Sequence, residues 1–220
     1  AQKTRERISG YLETTDILLV EDDPYGELRF AGDDVPSFRG FLPDQSILLG
    51  SFSKIVVPGF RLGWIAAPDT ILEKLLIAKQ AADLHSSHFT QRIIAKFLEE
   101  NDIDEHIAVI KDVYGRQCRA MLAAIAKHFP EEVRYTRPEG GMFLWAELPR
   151  GFSALELFET SARDNVVFVP GDPFYVGKTD VNSLRLNFSC VDEETITVGI
   201  AKLGKAIKRM VAAGKSTTAV

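Results

Sequence analysis

The sequence predicts an α/β fold in which a mostly parallel sheet is followed by a smaller α+β domain. Over the first hundred residues, helical patterns alternate with short apolar runs, an order typical of parallel sheets with right-handed crossovers. After about residue 132 the pattern changes to short strands and helices of α+β type. The first three predicted strands, 17–21, 47–50 and 64–67, have the apolar runs of parallel central strands covered on both faces.

Helices are predicted between and after these strands. A helix over residues 3–14 precedes the first strand, and residues 31–44 are rich in Gly, Asp and Pro, which indicates a surface loop. Asp69 is predicted to cap a helix that runs to about residue 83. Its expected buried residues are Ile71, Leu72, Leu75, Leu76 and Ala78. A second helix is expected over 89–100, and a long amphipathic helix follows a capping box formed by Asp102 and Glu105.

The α+β part is predicted to contain four strands and two helices. Strands are expected at 133–136, 142–148, 166–169 and 183–188. Ser153 is predicted to cap a helix that continues through residue 163, and Asp192 to cap the last helix.

Charge and composition give no reason to expect nucleic acid, a membrane or a metal as partner. The 220 residues carry a net charge of -5, which favours neither nucleic acid nor an anionic membrane. No segment reaches the roughly 18 consecutive apolar residues of a membrane helix. Cys118 and Cys190 form no close-spaced pair, which fits a reducing compartment and predicts a cytoplasmic protein. His85 and His88 lack an evident third ligand, so no metal site is expected.

Lys54 follows the second predicted strand in the segment Gly-Ser-Phe-Ser-Lys, with the hydroxyls of Ser51 and Ser53 beside it and Arg61 nearby. Ligands of open α/β sheets gather at the carboxyl ends of strands. The amine could form a Schiff base with an aldehyde, while the hydroxyls and the guanidinium bind a phosphate on the same molecule. The alternative is a solvated surface lysine, because a Ser-x-Ser-Lys pattern alone is common.

Asp22 comes just past the first predicted strand, and Tyr25 lies three residues beyond it. A carboxylate here could pair with a protonated ring nitrogen, as pyridoxal phosphate requires, and the phenol could hydrogen-bond the ring oxygen. The alternative is a strand-terminating turn, for which Asp-Asp-Pro at 22–24 is well suited. Both interpretations are compatible, because such a turn would present the carboxylate.

Six motifs together resemble the fold-type I pyridoxal-phosphate aminotransferases of class I/II, most closely the 2-aminoadipate and kynurenine group. They stand in the family's order and cover nearly the whole chain: Asp22-x-x-Tyr25, Ser51-x-Ser53-Lys54, Pro-Gly-Phe-Arg-Leu-Gly-Trp at 58–64, Gly-Gly-Met-Phe-Leu-Trp at 140–145, Val-Pro-Gly-Asp-Pro-Phe-Tyr at 169–175 and Leu-Arg-Leu-Asn-Phe at 184–188. The resemblance implies that residues 1–100 form the C-terminal half of the large, cofactor-binding domain. Residues 101–220 would be the small domain with the long linking helix.

The resemblance also implies the catalytic roles. Lys54 would carry pyridoxal phosphate and then move the proton from the substrate Cα to the cofactor. Asp22 would keep the pyridine nitrogen protonated, and Tyr25 would bond to the ring oxygen. The expected reaction transfers an amino group from an amino acid to a 2-oxo acid.

The remaining implied site residues bind anions. Ser51, Ser53 and Arg61 would anchor the cofactor phosphate, whereas Arg185 would clamp the α-carboxylate of the substrate. The complete enzyme is expected to be a homodimer.

Members of the family also use an N-terminal half that contributes further cofactor contacts, and those motifs are not in this sequence. The chain therefore resembles a C-terminal portion, and the isolated chain is expected to be inactive. Two alternatives share the scaffold. One is a pyridoxal-phosphate-dependent carbon–sulfur β-lyase, and the other is the aminotransferase-like effector domain of a transcriptional regulator.

Overall fold

The computed structural model describes residues 2–177 and 181–217, which form two compact units that divide after Ile110. The first unit holds helix α1 (Gln2–Leu12) and strands β1 (Leu19–Asp22), β2 (Ser46–Ser51) and β3 (Gly63–Ala66). Helices α2 (Asp69–Ala82) and α3 (His88–Glu100) follow. Helix α4 (Ile103–His128) begins in the first unit and ends in the second. The assignment of residues 1–100 and 101–220 to a large and a small domain remains a prediction.

The first sheet has the order β1-β2-β3, with β1 parallel to β2 and β2 antiparallel to β3. The prediction that the third strand is parallel is therefore wrong. The third strand is antiparallel because the connection is short: the chain between β2 and β3 forms only a turn and a 3₁₀ segment, Pro58–Phe60. Parallel neighbours need a longer crossover, usually a helix, whereas a short turn can only return the chain antiparallel.

The sheet is also more exposed than expected for central strands. Val20 is 58% exposed, Trp64 40% and Ile65 46%. Among the described residues, helix α2 buries none of its side chains, and Leu76 and Ala78 are exposed rather than buried as predicted. Within the described residues, apolar surface of this sheet therefore remains uncovered.

Helix ends agree with the sequence in most cases. The Oδ1 atom of Asp102 accepts hydrogen bonds from the amides of Asp104 and Glu105, at 2.9 and 3.3 Å, and so caps α4. The return bond of the predicted capping box, from the Asp102 amide to the Glu105 carboxylate, does not occur among the described residues. The cap of α2 is a correction. Pro68 occupies the N-cap position and Asp69 is the first helical residue, so its carboxylate lies at the positive end of the helix dipole instead.

The second unit contains a four-stranded antiparallel sheet of order β4-β5-β7-β6. Its strands are β4 (Arg134–Tyr135), β5 (Phe143–Glu147), β6 (Val169–Pro170) and β7 (Ser183–Asn187). The helices are α5 (Ala154–Ala162), capped by Ser153, and α6 (Glu193–Thr217), where Asp192 accepts from the Thr195 amide at 2.7 Å. Alternation along β5 and β7 buries one face of the sheet, at Leu144, Ala146, Leu184 and Leu186.

Within the part of the chain that the structure describes, we find no helix with the length and apolar character needed to cross a bilayer.

Candidate active site

Strands β1 and β2 end at the same edge of the first sheet, and this edge carries the predicted site. Asp22 is the last residue of β1 and pairs with Leu49, and the amide of Asp23 donates to the Leu49 carbonyl at 3.0 Å. Ser51 is the last residue of β2. Because the two strands are parallel, Asp22 and Ser51 both lie at the carboxyl ends of their strands, where ligands of such sheets bind.

Lys54 lies in the turn after β2, and Tyr25 lies in the turn after β1. The Lys54 side chain is half-buried, and its Nζ atom is 5.8 Å from the centre of the Tyr25 ring. The turn that contains Tyr25 is anchored at Leu28. The amide of Leu28 donates to the Tyr25 carbonyl at 2.9 Å, and the Leu28 side chain is fully buried. An amine and a phenol are therefore held together at the sheet edge.

Ser51 ends β2, and Ser53 lies in the turn that follows it. The Ser51 Oγ atom accepts a hydrogen bond from the Ser53 amide at 3.1 Å, which orders the start of the turn. A serine hydroxyl that accepts one bond can still donate its proton to a ligand oxygen. Both side chains are half-buried, so they are suited to bind an anion at the strand end.

Arg61 adopts a left-handed backbone conformation with φ 53° at the end of the 3₁₀ segment. This conformation is uncommon for residues other than glycine, and such outliers often mark functional sites. The exposed guanidinium donates from Nη1 to the Pro58 carbonyl at 3.3 Å. Arg61 therefore comes to the same sheet edge as Ser51, because Gly63, two residues on, pairs with Ser51 in the sheet.

Sequence reasoning missed a buried carboxylate beside Asp22. Glu21 is only 8% exposed and forms a salt bridge with Arg5 of α1. Its Oε2 atom accepts from the Ser37 hydroxyl at 2.7 Å and from the Phe38 amide at 2.8 Å. Successive strand residues point to opposite faces, so this network holds the strand end while Asp22 stays exposed on the other face. The signal available in the sequence was an acidic residue directly continuing the apolar run 17–20.

The contact between Gly50 and Trp64 explains why position 50, just before the Ser-x-Ser-Lys motif, is a glycine. A Cβ atom on Gly50 would lie 2.1 Å from the Trp64 Cε2 atom, so the indole occupies the space that any side chain would need. Strand pairing places these two residues opposite each other, directly before the Lys54 turn. The glycine therefore lets the tryptophan pack across the end of β2.

A cavity of about 350 Å³ lies beside this strand end within the first unit. Its lining combines apolar side chains from the sheet, α3 and α4 with the acidic residues Asp23, Glu27 and Asp104. Ser51 contributes to both the cavity and the predicted site.

Arg185 lies on β7 in the second unit, opposite Trp145 of β5. The side chain is half-buried, and its Cζ atom is 4.1 Å from the centre of the Phe143 ring and 5.0 Å from that of Phe174. Its Nε atom is buried and has no hydrogen-bond partner in the described parts of the chain. The sequence motifs contained both phenylalanines, but their shared contact with the arginine was not predicted.

No group of three or more His, Cys, Asp or Glu side chains that could hold a metal ion occurs among the described residues. The Nδ1 atom of His85 lies 2.9 Å from the Ser86 carbonyl oxygen. Cys118 is a buried free thiol and Cys190 an exposed one.

Comparison with known proteins assigns this chain to a family. Residues 4–203 match the model of aminotransferase class I and II. The aromatic-amino-acid aminotransferase 1 of Thermococcus litoralis is 41% identical over 208 residues, which are 94% of this chain and 50% of that protein. A more distant relative, the uncharacterized HTH-type transcriptional regulator YdfD of Bacillus subtilis, is 28% identical over 96% of this chain and 43% of its own length.

The solved structures agree. The α-aminoadipate aminotransferase LysN of Thermus thermophilus, complexed with N-(5'-phosphopyridoxyl)-L-leucine, matches with a TM-score of 0.92 and 39% identity. The match covers 97% of this chain and 56% of that one, so the chain spans about half the length of these relatives. The fold class predicted from the sequence, part of a fold-type I transferase, is thus confirmed. The chain belongs to the aminotransferase class I and II family.

Proposed function

We propose that the protein is a pyridoxal-phosphate-dependent aminotransferase that moves an amino group from an amino acid to a 2-oxo acid. The observation that carries this proposal is the position of Lys54 beside Tyr25, at the sheet edge that also holds Asp22, Ser51 and Ser53. Membership of the family supports it, as does the phosphopyridoxyl ligand of the LysN structure.

The residues at this edge fit the chemistry of the cofactor. When bound, pyridoxal phosphate supplies an aldehyde that reacts with amines and a pyridine ring that withdraws electrons. The half-buried Lys54 is the amine, and the Asp22 carboxylate can accept a hydrogen bond from the protonated pyridine nitrogen. Hydroxyl donors and the Arg61 guanidinium suit a phosphate, and the turn that carries them is already ordered by the bond between Ser53 and Ser51.

The same residues account for the proton transfer. Free Lys54 can take the proton from the substrate Cα and return it to the neighbouring carbon of the cofactor, which is general acid–base catalysis. The Tyr25 hydroxyl can donate to the oxygen on the ring. Arg185 can bind the substrate α-carboxylate, because an arginine presents two parallel N–H donors to a carboxylate. The proposed enzyme acts as a homodimer in the cytoplasm.

The direct test is a half-reaction in the natural protein that contains these residues. An amino acid is added without an acceptor, and the 2-oxo acid that appears is quantified together with the loss of amino acid. We expect stoichiometric conversion, abolished by Lys54→Ala. Lys79→Ala is the matched control, since Lys79 is an exposed lysine paired with Asp83 on α2. Equal activity of the two variants would contradict the proposal.

The products of the half-reaction also distinguish an aminotransferase from a β-lyase. A lyase acting on a cysteine S-conjugate would release a thiol, ammonia and pyruvate, whereas an aminotransferase retains the amino group on its cofactor. Release of thiol and ammonia as the main products would replace our proposal with the lyase.

The regulator is a second candidate, favoured by the similarity to the HTH-type regulator YdfD. In that case these residues bind an effector and pass the signal to a DNA-binding domain elsewhere in the protein. Effector-dependent binding of a DNA fragment in a mobility-shift assay, without turnover of amino acids, would favour the regulator.

A further inference from the structure

We infer that Phe174 and Phe143 are positioning residues for Arg185, which they hold with its terminal nitrogens available to the substrate carboxylate. This inference rests on the proposed function, because it assigns a role beside the proposed carboxylate clamp. The two rings would order the Arg185 side chain before the substrate binds.

The first step is the contact itself. The guanidinium carbon lies 4.1 Å from the Phe143 ring centre and 5.0 Å from that of Phe174, both within the range of cation–π attraction. These contacts come from two places in the unit, since Phe143 is on β5 and Phe174 is in the 3₁₀ segment Asp172–Phe174. A side chain contacted from two separate elements loses rotamer freedom in advance of binding.

The second step concerns the donors of the arginine. Ring contacts use the face of the guanidinium and leave its N–H groups free. Among the described residues, the Arg185 side chain makes no hydrogen bond or ion pair, and its Nε atom is buried without a partner. Because Nε is enclosed, the two terminal nitrogens are the donors that an incoming carboxylate would meet. A charged donor without a protein partner is expected to bind an anion strongly once the anion arrives.

The third step is the support of Phe174. Its ring packs edge-on against Trp145, with centroids 5.4 Å apart and an interplanar angle of 83°. Trp145 is the residue that faces Arg185 across the β5–β7 pairing. Although Phe174 is 49% exposed, this contact and the contact with Arg185 give its ring a defined place.

The chain offers a matched control. Phe158 and Phe168 form another edge-on aromatic pair in the same unit, with centroids 5.7 Å apart and an angle of 88°. No arginine contact is recorded for Phe158 within the described residues. Phe158→Leu therefore removes a comparable ring contact from the unit without touching the proposed clamp.

The experiment uses the natural protein loaded with cofactor and measures two quantities for each variant. One is the dissociation constant of a 2-methyl amino acid, which binds but has no Cα proton to lose, and the other is the pair KM and kcat for the amino acid. We expect Phe174→Leu to weaken analogue binding and raise KM by about five- to tenfold, with kcat changed less than twofold. Phe174→Tyr keeps an aromatic ring and should retain both values of the parent protein, and Phe158→Leu should match the parent protein as well.

The outcomes separate this inference from the proposed function. Arg185→Lys tests the clamp itself, because it keeps the charge but loses the fork. If Arg185→Lys leaves analogue binding unchanged, the clamp is wrong. If Arg185→Lys weakens binding while Phe174→Leu and Phe158→Leu behave alike, the clamp stands and the positioning role of Phe174 is overturned. A loss of kcat with unchanged KM in Phe174→Leu would also overturn it.

Discussion

The Lys54 Nζ atom lies 5.8 Å from the centre of the Tyr25 ring, although the two residues come from turns that follow different strands. The parallel pairing of β1 and β2 brings these turns to one edge of the sheet. The Asp-x-x-Tyr and Ser-x-Ser-Lys motifs therefore lie at one edge of the first sheet, as the proposed site requires.

The first prediction concerns the amine that reacts with the cofactor. Borohydride treatment of the cofactor-loaded natural protein should leave a pyridoxyl group on Lys54, because its half-buried amine lies at the sheet edge. Peptide mapping by mass spectrometry locates the label. Lys79, an exposed lysine of the same unit, is the internal control, and a label there in place of Lys54 would refute the assignment.

The second prediction distinguishes two adjacent carboxylates. Asp22 ends β1 with an exposed side chain. Asp23 is half-buried, and its carboxylate lies against Gly26. Asp22→Asn should retain cofactor but slow turnover about a hundredfold or more, because an amide cannot hold a pyridine nitrogen protonated. Asp23→Asn should have a much smaller effect on turnover. The reverse order in steady-state kinetics would shift the site by one residue.

The third prediction concerns packing at the end of β2. Gly50→Ala should lower the free energy of unfolding by about 1–3 kcal/mol, because the new methyl group would overlap the Trp64 ring. Gly10→Ala in α1 is the control, since no atom lies within 4 Å of the added carbon there. That change should be neutral or stabilising by up to about 1 kcal/mol. Denaturant unfolding measures both, and equal effects would contradict the proposed overlap.

The fourth prediction concerns the two free thiols. Burial raises the pKa of the Cys118 thiol, an effect that nearby Arg119 partly opposes. Since the thiolate is the reactive form, a thiol reagent at pH 8 should modify exposed Cys190 first and Cys118 only on unfolding.

The raised pKa of Cys118 also fixes the sign of a pH effect. The folded state holds the thiol proton more tightly than the unfolded state does. Its contribution to stability is thus complete below the unfolded pKa and is lost as pH rises through the folded one. Unfolding midpoints of Cys118→Ala and the parent should therefore converge at alkaline pH, and a growing gap would contradict this account.

The fifth prediction concerns the 220-residue chain alone. Apolar side chains of the first unit are exposed on the sheet and on α2, including Val20, Ile65 and Leu76. We expect the chain to self-associate through such surfaces and to bind pyridoxal phosphate weakly, without transaminase activity. Sedimentation over a range of concentrations and absorbance titration with cofactor measure both. A monomeric chain with tight cofactor binding and full turnover would disprove the prediction.

Much of the fold could be predicted because local patterns decide it. The caps at Asp102, Ser153 and Asp192 are formed as expected, since a short polar side chain before an apolar stripe satisfies the first helical amides. The direction of β3 was missed because apolar runs show that a strand exists but not its direction. The length of the connection after Ser51 contains that information.

Burial of α2 could not be predicted for a different reason. An apolar pattern such as Leu75 and Leu76 shows that a helix has an apolar face but not what covers it. The candidate site shows the same limit. The motifs predict Lys54 and Arg185 as site residues, whereas the contacts of Arg185 with Phe143 and Phe174 depend on tertiary packing between distant segments.

The hydrogen bonds of Glu21 restrain the loop of residues 31–44 before β2. The Glu21 carboxylate binds Arg5, Ser37 and the Phe38 amide, so α1, β1 and the loop are connected through one buried group. The loop is therefore expected to open only when the end of β1 is released as well. Hydrogen exchange at the Phe38 amide would then report the mobility of the whole sheet edge, and proteases should cleave this loop slowly despite its Gly- and Pro-rich sequence.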